Sequence, residues 1–209
     1  MNMTELSLSE FVSSLASSAP VPGGGGAAAL VGAVGMAAGN MTASLTLGKK
    51  KFEHLRPQLE EYCAAAAGLE KELLSQIQGD ADCFAPLAAA YRLPKEDPGR
   101  EVAVEAATLQ ACEAPRRVME LCCRGIELAG EIAKVGSRLA LSDAGCSASM
   151  LRSALESAAL NLFINTAALK DREAAEKLNA EALSRLRESL PKAEKLFRSI
   201  ASNYISEEF

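Results

Sequence analysis

The chain has 209 residues, of which 49% are hydrophobic and 23% are charged, a balance that is ordinary for a soluble globular protein. The length suits one large domain, which we take to span residues 1–209. The net charge of −5 argues against a general nucleic-acid-binding surface. Because only 4% of the residues are aromatic, the core is expected to consist mainly of alanine and aliphatic residues in closely packed helices.

The first predicted element is an amphipathic helix over residues 4–18. Ser7 is its expected N-cap, and Glu10, three residues later, completes a capping box. Residues 19–25 are rich in proline and glycine and end this helix.

Residues 26–47 predict a long helix of small residues, in a stretch with no charged residue between Glu10 and Lys49. Glycine and alanine recur at spacings of three or four, so one face carries almost no side chain and allows close approach. The length also suits a membrane span. The richness in glycine and alanine and the polar residues Asn40 and Thr42 favour a buried central helix instead, and we expect no membrane association.

Two features flank this helix. The glycines Gly23–Gly26 suit a place where backbone approaches something closely, or a helix N-terminus whose free N–H groups face a ligand. Three lysines, Lys49, Lys50 and Lys51, follow the helix. They form either a solvated helix end or an anion clamp, and their spacing does not decide between the two.

A strongly helical pattern runs from Pro57 to Gln78, and Gly79 is expected to end it. Asp80 and Asp82 then precede an apolar segment. The default interpretation is that either residue caps a short helix, and a carboxylate at a ligand site is the alternative for Asp82.

The second half of the chain continues in the same way after a surface loop at 93–100. Ser142 or Asp143 is the expected cap of the small-residue helix at 144–168. The other helical patterns cover 101–112, 116–140 and 171–204, the last interrupted by Pro191.

Asn161 and Asn165 are four residues apart and therefore share a helix face. Amides in such apolar surroundings need hydrogen-bond partners. They form either interhelical hydrogen bonds or a polar edge for a bound heterocycle.

No stretch shows strand alternation bounded by turns. The prediction is an all-α, antiparallel up-and-down bundle of about eight or nine helices.

Several kinds of site are not expected. His54 is the single histidine, which excludes a Ser-His-Asp set, and the six cysteines form no C-x-x-C pair, so no metal site is predicted. The thiols are expected to be reduced in a cytoplasmic protein. The glycine run fits neither a P-loop nor a dinucleotide fingerprint.

Three motifs together carry a resemblance that spans nearly the whole chain. They are VPGGGGAAALVGAVGMAAGNMTASLTLGKKK, DADCFAPLAAAYRLPK and SDAGCSASMLRSALESAALNLFINT. In this order they resemble the cyclodeaminase/cyclohydrolase family of folate enzymes. The resemblance implies an all-helical fold, dimeric or larger, which binds a tetrahydrofolate derivative, with or without a polyglutamate tail, in a cleft among helices. No metal or cofactor beyond the tetrahydrofolate substrate is implied.

The resemblance also implies roles for individual residues. Asp82 and Asp143 are the candidates for proton transfer or for holding the pterin. Lysines would hold the anionic glutamate tail, and the glycine loop and the two asparagines would contact the folate. These binding residues are Pro22, Gly23, Gly24, Gly25, Lys49, Lys50, Lys51, Asn161 and Asn165.

Two enzymatic activities and one binding role without turnover fit this resemblance. The first is a 5,10-methenyltetrahydrofolate cyclohydrolase, which adds water to the methenyl carbon and forms 10-formyltetrahydrofolate. The alternative is a formiminotetrahydrofolate cyclodeaminase, which closes the 5-formimino compound to the methenyl form and releases ammonia. The third is a folate-binding helical protein without turnover.

Overall fold

The computed structural model describes residues 2–205, so both ends of the predicted 1–209 domain lie outside the described residues. Within that range every regular element is a helix, which confirms the all-α class. The α-helices are α1 (Leu8–Leu15), α2 (Gly24–Leu47), α3 (Arg56–Tyr91), α4 (Arg100–Ala111), α5 (Glu113–Val135), α6 (Leu141–Ala168) and α7 (Arg172–Ala201). Short 3-10 helices lie at Met3–Glu5, Lys50–Leu55 and Arg138–Ala140.

The predicted count of eight or nine helices is wrong, since the described residues form seven α-helices. The main reason is α3, a single helix of 36 residues that passes Gly79 and Pro86 without a break. Leu73, Ile77 and Leu87 are buried along it on both sides of the glycine. Their packing outweighs the cost of a glycine in a helix, about 1 kcal/mol.

The structure also corrects two of the predicted helix caps and the predicted break in the last helix. Asp80 and Asp82 lie inside α3 and are not N-caps. Pro191 does not interrupt α7, which is capped by Asp171 through its bond from the Ala174 N–H. The capping box of α1 is confirmed, since Ser7 and Glu10 exchange hydrogen bonds.

Helix α2 lies at the centre of the fold and packs against α3, α5 and α6. Its inner glycines allow this close packing: a Cβ added at Gly35 would lie 3.0 Å from Cβ of Met150. Among the described helices, α2 is the one long and apolar enough to cross a membrane, and half of its most apolar window is buried inside the protein.

Helices α2 and α6 run antiparallel along their whole length. Gly24 lies beside Asn161, Gly35 beside Leu151, and the Thr42 hydroxyl donates to the carbonyl of Ala140 at 2.9 Å. This pairing gives the molecule two ends. One end holds the start of α2 and the end of α6, and the other holds the lysines and the start of α6.

Candidate functional site

A cavity of about 190 Å³ lies at the N-terminus of α2. A larger cavity of about 390 Å³ beside α4 is lined mainly by apolar surface. The smaller one is the candidate site, because an aspartate, two asparagines and the start of a helix converge on it. Its lining comes from the loop before α2 and from helices α2 to α6: Pro20, Val21, Gly23, Gly24, Gly25, Asp80, Phe84, Ala111, Pro115, Asn161, Ile164 and Asn165.

The carboxylate in this cavity belongs to Asp80 of α3. Its Oδ2 accepts a hydrogen bond from the N–H of Gly26 at 2.9 Å. Gly23, the N-cap residue of α2, provides no side-chain cap. Asp80 therefore caps α2 from a neighbouring helix, where a negative charge also interacts favourably with the helix dipole.

Burial raises the pKa of Asp80, and the hydrogen bond from Gly26 only partly opposes this rise. A half-buried carboxyl with a raised pKa in a cavity is the type of group that carries acid–base chemistry.

Gly25 explains why the loop before α2 is so rich in glycine. A Cβ at this position would lie 2.0 Å from Oδ1 of Asp80, a distance that no side chain tolerates. The close approach that the glycines predict is thus between the α2 backbone and the Asp80 carboxylate.

The two asparagines of α6 line the cavity and use their amide donors on backbone carbonyls. Nδ2 of Asn161 donates to Ser157 at 2.8 Å, within its own helix. Nδ2 of Asn165 donates to Ala111 at 2.9 Å and so joins α6 to the end of α4. Among the described residues, neither side-chain oxygen accepts a hydrogen bond, so both remain available as acceptors.

The predicted glycines Gly23, Gly24 and Gly25 line this cavity together with the asparagines. Pro22, the other predicted loop residue, is buried, and its Cβ lies 3.6 Å from the position of a Cβ on Gly26.

Asp82 does not line the cavity. It is exposed, and its Oδ1 accepts from Nε2 of Gln78 at 2.7 Å. Residues two apart on a helix point to nearly opposite sides, so the cavity receives Asp80 and not Asp82. The periodicity of α3 contains the signal for Asp80, because Leu73, Ile77, Asp80 and Phe84 are spaced by three or four. That signal is visible only if the helix is continued through Gly79.

The lysines and Asp143 lie at the other end of the molecule. Nζ of Lys49 donates to Oγ of Ser137 at 2.8 Å, and Nζ of Lys51 lies 5.8 Å from the ring centre of Phe52. Asp143 is in the first turn of α6. At 1.5 Å per residue, Asp143 is about 27 Å from Asn161 along α6, and Lys49 is about 37 Å from Gly24 along α2. Within one chain the predicted residues therefore form two separate groups.

The cysteines take no part in this cavity. All six are free, and burial raises the pKa of Cys112 to about 11. Among residues 2–205, no three His, Cys, Asp or Glu side chains lie close enough to hold a metal ion.

Residues 7–184 match the model of the formiminotransferase-cyclodeaminase family. The chain belongs to this family. It is 36% identical over 196 residues to a methenyltetrahydrofolate cyclohydrolase of Methylorubrum extorquens, which covers 92% of this chain and 94% of that protein.

Bifunctional members of the formiminotransferase-cyclodeaminase family are longer. The formimidoyltransferase-cyclodeaminase of Rattus norvegicus is 29% identical over 92% of this chain, which spans only 36% of the rat protein. The crystal structure of a formiminotetrahydrofolate cyclodeaminase from Thermotoga maritima has the same fold, with a TM-score of 0.82, 23% identity, and coverage of 94% of this chain and 98% of that chain.

Proposed function

We propose that this protein is a 5,10-methenyltetrahydrofolate cyclohydrolase. The observation that carries the proposal is the 36% identity to a methenyltetrahydrofolate cyclohydrolase along nearly the full length of both chains. The polar cavity at the start of α2 supports it, because it supplies a carboxyl group and amide oxygens at one place.

The reaction adds one water to a cationic carbon held between N5 and N10. Water attacks this carbon and loses a proton, which gives a tetrahedral intermediate. Cleavage of the C–N5 bond then leaves the formyl group on N10, and the net products are 10-formyltetrahydrofolate and one proton. The step therefore needs a group that stabilises the cation and accepts a proton.

Asp80 fits both requirements when it is ionised. A carboxylate beside the methenyl bridge attracts the positive charge and accepts the proton from water. Asn161 and Asn165 present oxygen acceptors to N–H groups of the pterin. Gly23 and Gly24 add no side chains, so the ring can approach the backbone.

A formiminotetrahydrofolate cyclodeaminase is the second candidate, and the bifunctional relatives and the Thermotoga maritima protein favour it. That reaction passes through a similar tetrahedral carbon, but N10 attacks the formimino carbon and ammonia leaves. The same carboxyl would then deliver the proton that ammonia needs.

Further features of the protein belong to the same proposal. The substrate is a tetrahydrofolate derivative with or without a polyglutamate tail, bound by a homodimer or larger assembly without a metal or further cofactor. The protein acts in the cytoplasm without nucleic-acid or membrane partners, in keeping with its net charge of −5 and six free cysteines.

A paired turnover assay tests the proposal. Purified protein is mixed with 5,10-methenyltetrahydrofolate in one sample and 5-formiminotetrahydrofolate in the other, and the methenyl absorbance is followed in both. Loss of absorbance above the uncatalysed rate is expected in the first sample. Appearance of absorbance with matching ammonia release in the second would instead assign the cyclodeaminase. If folate binds and neither sample reacts, the protein is a folate-binding protein without turnover.

A further inference from the structure

The outer part of α3 and helix α4 form a hairpin that packs largely on itself. Its two helices share a small apolar cluster of their own: Phe84, Leu87, Ala90, Ala103, Val104, Ala107 and Ala111. Among the described residues, the main apolar cluster of the protein includes Ile77 and Cys112 but nothing between them. Residues 78–111, here named the α3–α4 hairpin, are therefore joined to the other helices by contacts outside that main cluster.

The α3–α4 hairpin supplies one wall of the candidate cavity at the start of α2. Phe84 and Ala111 line this wall, together with Asp80 at the base of the hairpin. The opposite wall belongs to the loop before α2 and to α6, which carries Asn161 and Asn165. The position of the hairpin thus sets the width of the cavity.

A carboxylate of the hairpin binds the corner where α6 ends and α7 begins. Glu105 of α4 accepts hydrogen bonds from the backbone N–H groups of Lys170 and Asp171, each at 2.9 Å. These two residues come before the first turn of α7, so α7 itself offers their N–H groups no acceptor. The carboxylate also lies at the N-terminal end of α7, where the helix dipole favours a negative charge.

The corner that Glu105 binds is firmly attached to the other helices. Leu169 is 3% exposed. Nη1 of Arg172 donates to the carbonyls of Thr166 and Leu169 at 3.0 and 3.1 Å. The hydroxyl of Thr166 donates to Oδ1 of Asn179 on α7 at 2.7 Å. The corner is therefore a fixed point to which α4 is tied.

Apolar packing between α4 and this corner is incomplete. The larger cavity of about 390 Å³ lies here, lined by Val102, Ala106 and Leu109 of α4 and by Leu169 and Ala174 beyond it. Val102 is 72% and Leu109 45% exposed. Because little apolar surface is buried across this gap, polar contacts must hold α4 against the corner.

We propose that Glu105 is a positioning residue, whose carboxylate holds the α3–α4 hairpin against the α6–α7 corner and so keeps the candidate cavity in the shape that binds folate. The effect passes through Ala111, which is six residues, or about 9 Å, along α4 from Glu105. The carbonyl of Ala111 accepts the hydrogen bond from Nδ2 of Asn165 at 2.9 Å, and this bond fixes the direction of the Asn165 side-chain oxygen. The role in folate binding rests on the proposed function, whereas the contact between Glu105 and the corner does not.

Loss of this contact is expected to affect binding more than chemistry. Asp80 lies at the base of the hairpin and is held separately by the N–H of Gly26 at 2.9 Å. Phe84 and the carbonyl of Ala111 lack such a separate contact with the α2 backbone among the described residues, so they move when α4 moves. The folate then loses a wall and an oriented amide, while the carboxyl group to which we assign proton transfer stays in place.

Glu101 offers a matched control one turn earlier on the same helix. It lines the same larger cavity as Glu105. Its carboxylate pairs with the side-chain Nζ of Lys170 and not with the backbone, and the Lys170 and Glu101 side chains are 62% and 71% exposed. Exposed ion pairs contribute little to stability, so Glu101→Ala should leave the hairpin in place. Glu105→Gln is the conservative variant, because its amide oxygen still accepts from both N–H groups.

The first test is amide hydrogen exchange followed by mass spectrometry on the protein without folate. Glu105→Ala is expected to raise the exchange rates of residues 100–111 by about tenfold and to leave those of α5 and α6 unchanged. Glu105→Gln and Glu101→Ala should stay within about twofold of the wild type. Unchanged rates in Glu105→Ala, an equal rise in Glu101→Ala, or a rise spread over all helices would each overturn the proposal.

The second test is steady-state kinetics with 5,10-methenyltetrahydrofolate. For Glu105→Ala we expect KM to rise about tenfold while kcat stays within about twofold, and Glu105→Gln should restore KM to within about twofold of the wild type. A wild-type KM in Glu105→Ala, or a loss confined to kcat, would refute the positioning role. Absence of turnover in the wild type would instead refute the proposed function, and the exchange experiment does not depend on that result.

Discussion

The carboxylate of Asp80 has a structural role and is also the carboxylate to which we assign the proposed chemistry. It caps α2 through the N–H of Gly26, and it is the carboxyl group that lines the cavity. Asp82, two residues later, has the same side chain but faces solvent. This pair offers a matched comparison in which charge and size are equal and only the direction of the side chain differs.

Asp80→Asn is therefore expected to lower kcat/KM by about a hundredfold or more, the usual contribution of a positioned acid or base. Asp82→Asn should stay within about twofold of the wild type, because it affects only an exposed hydrogen bond from Gln78, which an amide oxygen can still accept. Steady-state kinetics on both variants check this. Equal losses in the two variants would contradict the assignment of Asp80.

The raised pKa of Asp80 predicts a pH dependence. In the proposed mechanism turnover needs the ionised form, so kcat/KM should fall as the pH drops through a pKa above the ordinary aspartate value of about 3.9. Asp80→Asn should lack this acid limb.

The folded protein also holds the proton of Asp80 more tightly than the unfolded chain does. The free energy of unfolding of the wild type should thus decrease relative to Asp80→Asn as the pH rises through the same window. A pH–rate profile and urea titrations at several pH values measure both effects.

Glycine residues have different structural roles in different helices. Gly35 of α2 faces Met150 and Leu151 of α6, and a Cβ there would lie 3.0–3.2 Å from their atoms. Gly79 of α3 faces only the flexible end of Gln76, at 3.3 Å. Sequence alone assigns a helix end to Gly79, whereas in the structure α3 continues through it. Of these two glycines, only Gly35 is tightly packed.

Gly35→Ala is expected to lower the free energy of unfolding by about 1–3 kcal/mol, because the packed helices must separate. Gly79→Ala should raise it by about 0.5–1 kcal/mol, since alanine is the better residue inside a helix with room around it. Urea denaturation followed by circular dichroism gives both values. A destabilised Gly79→Ala protein would argue that α3 does not continue through this position.

At the scale of the whole molecule, the proposed homodimer needs an apolar surface, and the outward face of α2 provides one, with Val34, Met41 and Leu45 45–51% exposed. The face is apolar in a chain that is otherwise rich in surface ion pairs, such as Lys192 with Glu127 and Glu188. Stability of a dimer that forms through this face depends on protein concentration, because unfolding is coupled to dissociation.

The melting temperature of the wild type should thus rise by several degrees when the protein concentration increases a hundredfold. Val34→Glu should melt lower and at a temperature independent of concentration. Scanning fluorimetry or calorimetry over that range checks the prediction. A wild-type melting temperature that does not change with concentration would contradict a dimer held by the outward face of α2.

The sequence by itself determined the all-α class, the capping box of Ser7 and Glu10, the central small-residue helix and the family. These properties depend on local spacing or on motifs, which the linear chain contains in full. Only the tertiary structure decided that α3 passes Gly79, because the buried stripe that stabilises it comes from packing against other helices. It also decided which aspartate enters the cavity, since the direction of a side chain depends on helix continuity. Finally, it placed Lys49 and Asp143 far from Asn161, a separation that follows from the length of rigid antiparallel helices.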